Sequence, residues 1–368
     1  MADPVWQFSL QVVHALVWVG VLVAVMFVCV RMLSLRTVIY ATTLLTLVLV
    51  PLGAYVRLTD AGLGCPDWPG CYGKLSPFHA ESDIAAAQER APAGPVSAPK
   101  AWKEMVHRYL ASLVGAMILS IVLAVLLRRK RTRPDPSDPA RAAGLPVFLL
   151  AFVLLQGLFG KWTVTLLLKP AIVTLHLLGG MLILAMLTWL SSRFLRLPVA
   201  HHPAEARMLR PWAYLGLILL VCQIALGGWV STNYAALACT DFPTCHGQWL
   251  PQMDFNHGFQ LQRELGMTAD GEALSNAALN AIHWTHRIGA VLVAVVLGAI
   301  GYAAMRMNGL RPYGTVLIFL LAGQLALGIT NVLGMLPLPA AVAHNAGAAL
   351  LLMAVVMLNF ALHKESSR

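Results

Sequence analysis

Cys65-Pro66-Asp67-Trp68-Pro69-Gly70-Cys71-Tyr72-Gly73 and Cys239-Thr240-Asp241-Phe242-Pro243-Thr244-Cys245-His246-Gly247 are one pattern written twice in a single chain. Each copy follows a Leu-Gly pair, Leu52-Gly53 or Leu226-Gly227, at identical spacing, and each is followed by a proline, Pro77 or Pro251. Further marks recur in the same order. His107-Arg108 returns as His286-Arg287, Gln156 with Gly160 returns as Gln324 with Gly328, and Pro170 with His176 and Gly179 returns as Pro339 with His344 and Gly347. Self-similarity on this scale is the mark of a duplicated bundle.

Composition gives the solvent in which that bundle sits. Hydrophobic residues make up 58% of the chain, charged residues 11%, and mean hydropathy is +0.72. A soluble domain of this length does not have that balance. Nine apolar stretches approach the roughly twenty residues that cross about 30 Å of hydrocarbon. They run near 12–30, 38–56, 105–127, 145–168, 171–190, 212–231, 281–304, 314–332 and 340–362. Four fall in each copy of the repeat, so the repeat is parallel and not inverted. The fold expected is all-α and polytopic: an extra N-terminal membrane helix at 1–36, a first four-helix half at 37–193, and a second four-helix half with its tail at 194–368. His14 and Cys29, in the extra helix, have no counterpart in the repeat.

The net charge of +10 does not point to nucleic acid, because the basic residues sit in short loops and not on one soluble face. Arg31 with Arg36, the run Arg128–Arg141, the loop Arg193–Arg210, Arg306 with Arg311, and the tail Lys364–Arg368 share one side and hold 16 of the 26 basic residues. Basic loops stay cytoplasmic, which places the N-terminus outside and the C-terminus inside. Met1–Leu10 carries no Lys or Arg, unlike a secretory leader or a transit peptide, so a bacterial inner membrane is the simplest compartment.

His107, His176, His286 and His344 each lie near the start of a helix entering from the outer side, and so share one depth. Ionisable residues inside a bilayer are costly and mark function. Bare zinc or copper sites gather more ligands from shorter spacings. Two histidines facing each other across a bundle suit the axial positions of a haem iron. One haem per half follows, held by His107 with His176 and by His286 with His344. Arg108 and Arg287 stand beside these ligands at the aqueous edge, where they could pair with haem propionates or act as interfacial anchors. Both cysteine pairs lie on the outer, oxidising side, where intraloop disulfides Cys65–Cys71 and Cys239–Cys245 are expected, as structural staples or as redox groups. A zinc site using His246 is the weaker alternative, since the first copy has Tyr72 there. Cys29 and Cys222 lie in apolar helices and read as packing residues. The segments 83–99 and 255–275 read as flexible parts of the outer loops. No repeated aspartate motif for a diphosphate is present, which argues against prenyl transfer.

The run Arg57-Leu58-Thr59-Asp60-Ala61-Gly62-Leu63-Gly64 with the first cysteine loop, the stretch Glu104-Met105-Val106-His107-Arg108, and the second-copy loop with His286-Arg287 together resemble the haem A synthase family of cytochrome oxidase assembly proteins over about residues 37–362. The resemblance implies haem O in the first half, on His107 and His176, and a permanent haem b in the second, on His286 and His344. It also implies oxidation of a porphyrin methyl group to a formyl by successive hydroxylations, giving haem A. Expected partners are the lipid bilayer, a haem O synthase as donor and an unidentified electron partner, while a homo-oligomer is left open by the extra helix. The extra N-terminal helix departs from the family's eight-helix pattern. Glu104, three residues before His107, shares its helix face and is the expected catalytic base. Its counterpart in the second copy is His283. The competing reading is a di-haem electron-transfer cytochrome that never alters its haem. Such a carrier has no use for a carboxylate at 104.

Overall fold

A computed structural model describes residues 4–131, 143–195, 198 and 203–365, with backbone only at 4–12, 14–15, 128–131, 203 and 365. The side chain of His14, most of the basic run Arg128–Arg141, part of the loop Arg193–Arg210 and the last residues of the tail therefore lie outside the described residues. Two compact units divide at Leu167/Leu168.

Unit 1 holds α1 (Pro4–Arg31), α2 (Leu35–Leu58), α3 (Glu81–Arg90), α4 (Ala98–Arg131) and α5 (Gly144–Thr165). Helix α4 is its centre, with α1, α2 and α5 packed on it. Ser34 caps α2 by accepting the Thr37 N–H at 3.1 Å. Thr42, Thr43 and Thr46 return their hydroxyls to the carbonyls four residues back at 2.7 to 2.8 Å, so an apolar surrounding meets no unpaired donor.

Unit 2 holds α6 (Pro170–Ser192), α7 (Pro203–Thr232), α8 (Phe255–Gly258), α9 (Asn276–Arg306), α10 (Arg311–Leu333) and α11 (Leu338–Glu365), with a 3₁₀ turn at Ala235–Leu237. Here α7 packs on α9, α9 on α10, α10 on α11 and α11 back on α7, which closes a ring of four; α6 lies against α7 and α11. Short connections at 307–310 and 334–337 make successive neighbours antiparallel.

Among the described residues, eight helices are long and apolar enough to cross a membrane. Phe319 is 76% exposed and Leu154 67%, an arrangement favourable against lipid tails and costly against water. The protein is a polytopic all-α membrane protein. The ninth expected crossing is α1, a continuous 28-residue helix whose apolar part among the described residues, Leu16–Arg31, is shorter than the other eight.

The duplication extends to backbone detail. Cis peptide bonds stand at Trp68–Pro69 and Phe242–Pro243. Left-handed residues recur as Asp60 and Tyr234, as Tyr72 and His246, and as Leu167-Leu168 and Met335-Leu336. Paired positions with φ near +50° to +60° are uncommon for residues other than glycine, so they mark turns that both copies must make.

Two loop segments that composition reads as flexible are ordered by specific contacts. Helix α3 forms within the first, where Ile84 buries against Cys65, Cys71 and Met105 and Lys74 bonds Asp83 at 2.8 Å. In the second, Arg263 is 3% exposed and donates to Asn233 Oδ1 at 2.6 Å and to the carbonyls of Gln260 and Met267. The Trp229 indole meanwhile donates to Gly258 O at 2.9 Å. Polar composition concealed both anchors because each partner is distant in sequence.

Candidate functional site

The site is clearest in the closed ring of unit 2. His286 stands on α9 and His344 on α11, helices that lie across the ring's diagonal. The other diagonal supplies a glutamine to each. Gln223 of α7 donates from Nε2 to the His286 carbonyl at 2.9 Å and lies 3.0 Å from the ring nitrogen Nδ1. Gln324 of α10 donates to the His344 carbonyl at 3.0 Å and lies 3.4 Å from His344 Nε2. Glycines make this fit. A Cβ at Gly227 would sit 3.1 Å from His286 Cε1, and one at Gly328 would sit 3.2 Å from His344 Cε1. Side chains at Gly289 or Gly347 would collide with the carboxamides of Gln223 or Gln324. The buried carboxamide oxygens of Gln223 and Gln324 and the Nδ1 of His344 have no hydrogen-bond partner among the described residues.

In unit 1, His107 on α4 meets α2 in the same way: a Cβ at Gly53 would sit 3.1 Å from His107 Cε1. The flanking positions differ, since Leu49 stands where α7 has Gln223 and Leu110 where α9 has Gly289. His176 lies on α6, in unit 2, half-buried and one turn before the buried Gly179.

Immediately before each α4 or α9 histidine, one side chain ties the helix to its cysteine loop. Glu104, 5% exposed, accepts the Cys65 N–H on Oε2 at 2.9 Å and the Arg108 guanidinium on Oε1 at 2.5 Å. Arg108 also donates to the carbonyls of Asp67 and Gly70. In the second copy His283 takes the place of Glu104: the Cys239 N–H lies 3.3 Å from its Nδ1 and Arg287 Nε lies 3.2 Å from its Nε2. Arg287 further donates to Thr244 O at 2.7 Å and Cys239 O at 2.8 Å. Both arginines, read from the sequence as propionate partners or interfacial anchors, fasten the loop carbonyls. That role was illegible in the sequence because it is made to backbone atoms some forty residues away.

The loops themselves are stapled. Cys65–Cys71 and Cys239–Cys245 are disulfides, with Cα atoms 4.9 and 4.8 Å apart. Inside each, an aspartate cradles the turn. Asp67 accepts the N–H groups of Tyr72 and Gly73, and Asp241 those of His246 and Gly247 together with the Thr244 hydroxyl. The Thr244 hydroxyl and these N–H groups hold the Asp241 carboxyl well below the usual carboxylate range. With both sulfur pairs oxidised, the zinc alternative at His246 lacks its thiolates. Cys29 is buried, as expected, whereas Cys222 is exposed on the surface of α7 and does not pack.

The residues that sequence reading missed are Gln223, Asp67 with Asp241, and the Arg263–Asn233 anchor. Only the first left a usable signal: Gln223-Ile224-Ala225-Leu226-Gly227 and Gln324-Leu325-Ala326-Leu327-Gly328 are nearly the same word on two helices of one half.

The comparisons with known proteins agree with this duplicated site. The model of the cytochrome oxidase assembly protein family matches residues 36–356, which spans both cysteine loops and all four histidines and begins just beyond α1. The haem A synthase of Shewanella oneidensis is 39% identical over 336 residues, 91% of this chain and 99% of that protein. That of Methylobacterium radiotolerans is 31% identical over 88% of this chain and 89% of its own length. That of Rhizorhabdus wittichii is 27% identical over 87% and 91%. A match of that extent, carried through both copies of the repeat, leaves one conclusion: the chain belongs to the cytochrome oxidase assembly protein family.

Proposed function

We propose that this protein is a haem A synthase, an oxidoreductase that converts haem O to haem A by oxidising a ring methyl group to a formyl group. The observation that carries the reading is the family match across both halves, combined with a histidine at each of the four equivalent helix positions. In it, the halves 37–193 and 194–368 divide the work. The first takes haem O as substrate on His107 and His176, assigned from the repeat. The second keeps haem b on His286 and His344.

Unit 2 fits a haem. Its two histidines stand on diagonal helices of a closed ring, each imidazole resting against a glycine, and the buried Nδ1 of His344 has no hydrogen-bond partner among the described residues. His286 and His344 would hold a haem there, and it would supply single-electron transfer. The protein's part is to hold the two imidazoles at fixed separation and to exclude water between them.

In the first half, Glu104 is the group we assign to proton removal during methyl oxidation. Its two donors, Cys65 N–H and Arg108, hold the carboxylate one helical turn before His107. The second copy has His283 there, so the carboxylate is peculiar to the half assigned to chemistry. Arg108 and Arg287 add positive charge at the edge where propionates would lie. The cysteine loops lie outside the membrane and the tail inside, in a bacterial inner membrane, with haem O delivered by its synthase and electrons leaving to a separate carrier.

Pigment extraction from the purified protein tests the proposal. Haem O or haem A beside haem B is the expected result. Haem B alone, from cells that make haem O, would leave the electron-transfer cytochrome as the better reading.

A further inference from the structure

Tyr55 on α2 and Trp229 on α7 are equivalent positions of the repeat, and a cation of different origin lies over each ring. Over Trp229 it is Arg263, which reaches in from the outer loop, is 3% exposed and donates to Asn233 Oδ1 at 2.6 Å. Over Tyr55 it is Lys103, whose ammonium lies 5.1 Å from the ring centroid. Lys103 belongs to α4, the helix of His107, and is half-buried. At its place in the second copy stands Ile282, packed with Trp229 in one apolar cluster.

Lys103 precedes His107 by four residues, so it lies on the same face of α4, one turn or about 6 Å nearer the outer surface. Arg57 has the matching place on α2. It follows by four residues Gly53, where an added Cβ would sit 3.1 Å from His107 Cε1, and its side chain is 14% exposed. The second copy has Ser231 there. The outer ends of α2 and α4 are held together, since a Cβ at Gly64, in the turn that follows α2, would collide with the backbone of Lys100 and Ala101. Two cations therefore stand one turn outward of the His107 imidazole, on the two helices that meet around it, and neither is repeated in the other half.

Both cations can take a new anion. Arg57 meets Asp60 at 3.4 Å, a long contact to a carboxylate that is 58% exposed, and such surface pairs add little stability. No carboxylate pairs with Lys103 among the described residues, and the Tyr55 ring holds its ammonium without neutralising it. Arg108, by contrast, spends its Nη atoms on Glu104 and on the carbonyls of Asp67 and Gly70. A planar guanidinium fork and an ammonium on adjacent helices suit a ligand that presents two carboxylates on one edge, as the two propionates of a haem do. We propose that Arg57 and Lys103 bind the propionates of the substrate haem and so fix its rotation about the axis through His107, which decides the ring methyl group that faces Glu104. The inference rests on the assignment of haem O to the first half.

The test is an optical titration of the purified full-length protein with haem O and with haem O dimethyl ester, in which both propionates are methylated. Wild type binds the free acid about tenfold or more tighter than the ester. Arg57→Gln and Lys103→Gln each weaken binding of the free acid by about tenfold and leave ester binding unchanged, while Lys103→Arg keeps the affinity of wild type. Variants that lose acid and ester alike would show a role in holding α2 to α4, and equal affinities across the set would show none; either result overturns the proposal. Repeating the titration in phosphatidylcholine nanodiscs with and without phosphatidylglycerol separates the two sources of anion. An effect of the variants that needs phosphatidylglycerol, with acid and ester equal, assigns the cations to lipid headgroups and also overturns it. The underlying assignment fails separately: His107→Ala would then leave haem O binding unchanged, whereas a haem held by His107 but indifferent to esterification overturns only the propionate contacts.

Discussion

Glu104 accepts the backbone N–H of Cys65 at 2.9 Å, so a single carboxylate joins the disulfide loop to the helix that carries His107. In the other half the imidazole of His283 approaches the N–H of Cys239, which makes a loop-to-helix tie common to both copies and the negative charge special to one. The tie to the loop therefore sits on the side chain to which we assign proton removal, and the two are separable by substitution.

Glu104→Gln keeps an acceptor for Cys65 while removing the charge. Folding and both disulfides are expected to survive, with haem O retained and haem A lost from extracted pigment. Glu104→Ala leaves the Cys65 N–H and a guanidinium arm of Arg108 without their acceptor, at a cost of about 1–3 kcal/mol, and lowers the thermal midpoint as well. Normal haem A formation in Glu104→Gln would sink the catalytic assignment.

Loss of either His286 or His344 removes one axial bond of the haem assigned to the ring of unit 2. Optical spectra of His286→Ala and His344→Ala should show the low-spin b-type bands lost or converted to high spin. His14→Ala should leave them unchanged, and a change there would point to α1.

Thiol alkylation of the denatured, unreduced protein should label Cys29 and Cys222 and leave the other four cysteines blocked. Opening the second loop by Cys239→Ser together with Cys245→Ser removes a short covalent ring, worth about 2 kcal/mol on loop-closure grounds. Four further labels without reductant would return metal binding to consideration.

Acid should loosen the second cysteine loop before the helices respond. The Asp241 carboxyl is held below its ordinary range by hydrogen bonds to its charged form, so its stabilisation is complete above the unfolded value of about 3.9 and is lost as pH falls through the folded one. Reductant access to Cys239–Cys245 should be flat from neutral pH down to roughly 5 and rise below that. Asp241→Asn should raise access already at neutral pH, and an unaltered rate in that variant would contradict the cradle.

Reporter fusions test the orientation drawn from charge. A periplasmic reporter is expected to be active after Val96 and after Gln260, and a cytoplasmic one after Arg311. The reverse pattern would invert the protein and place both disulfides in a reducing compartment.

The repeat, the membrane class and the four histidines were legible because each is a matter of spacing or of apolar length, which a linear string preserves. Helix α3 and the Arg263 anchor were not, because polar and small residues look the same whether solvated or tethered. Ile84 reveals itself only when it meets Met105, and Arg263 only when it meets Asn233. The loop contacts of Arg108 were hidden for another reason. Its acceptors at Asp67 and Gly70 are main-chain oxygens, and no side-chain pattern advertises them.

The ring formed by α7, α9, α10 and α11 also bears on biogenesis. Its polar groups come from all four members, glutamines from one diagonal and histidines from the other, and none can be satisfied by its own helix alone. As the chain leaves the translocon, Gln223 and His286 can meet once α9 is in place, but Gln324 must wait for α11, which follows it. Until then its carboxamide faces lipid, where an unpaired polar group is costly. Insertion of α11 and closure of the ring are thus one event, and a chain shortened before His344 would leave the quality-control machinery a half-built ring to recognise.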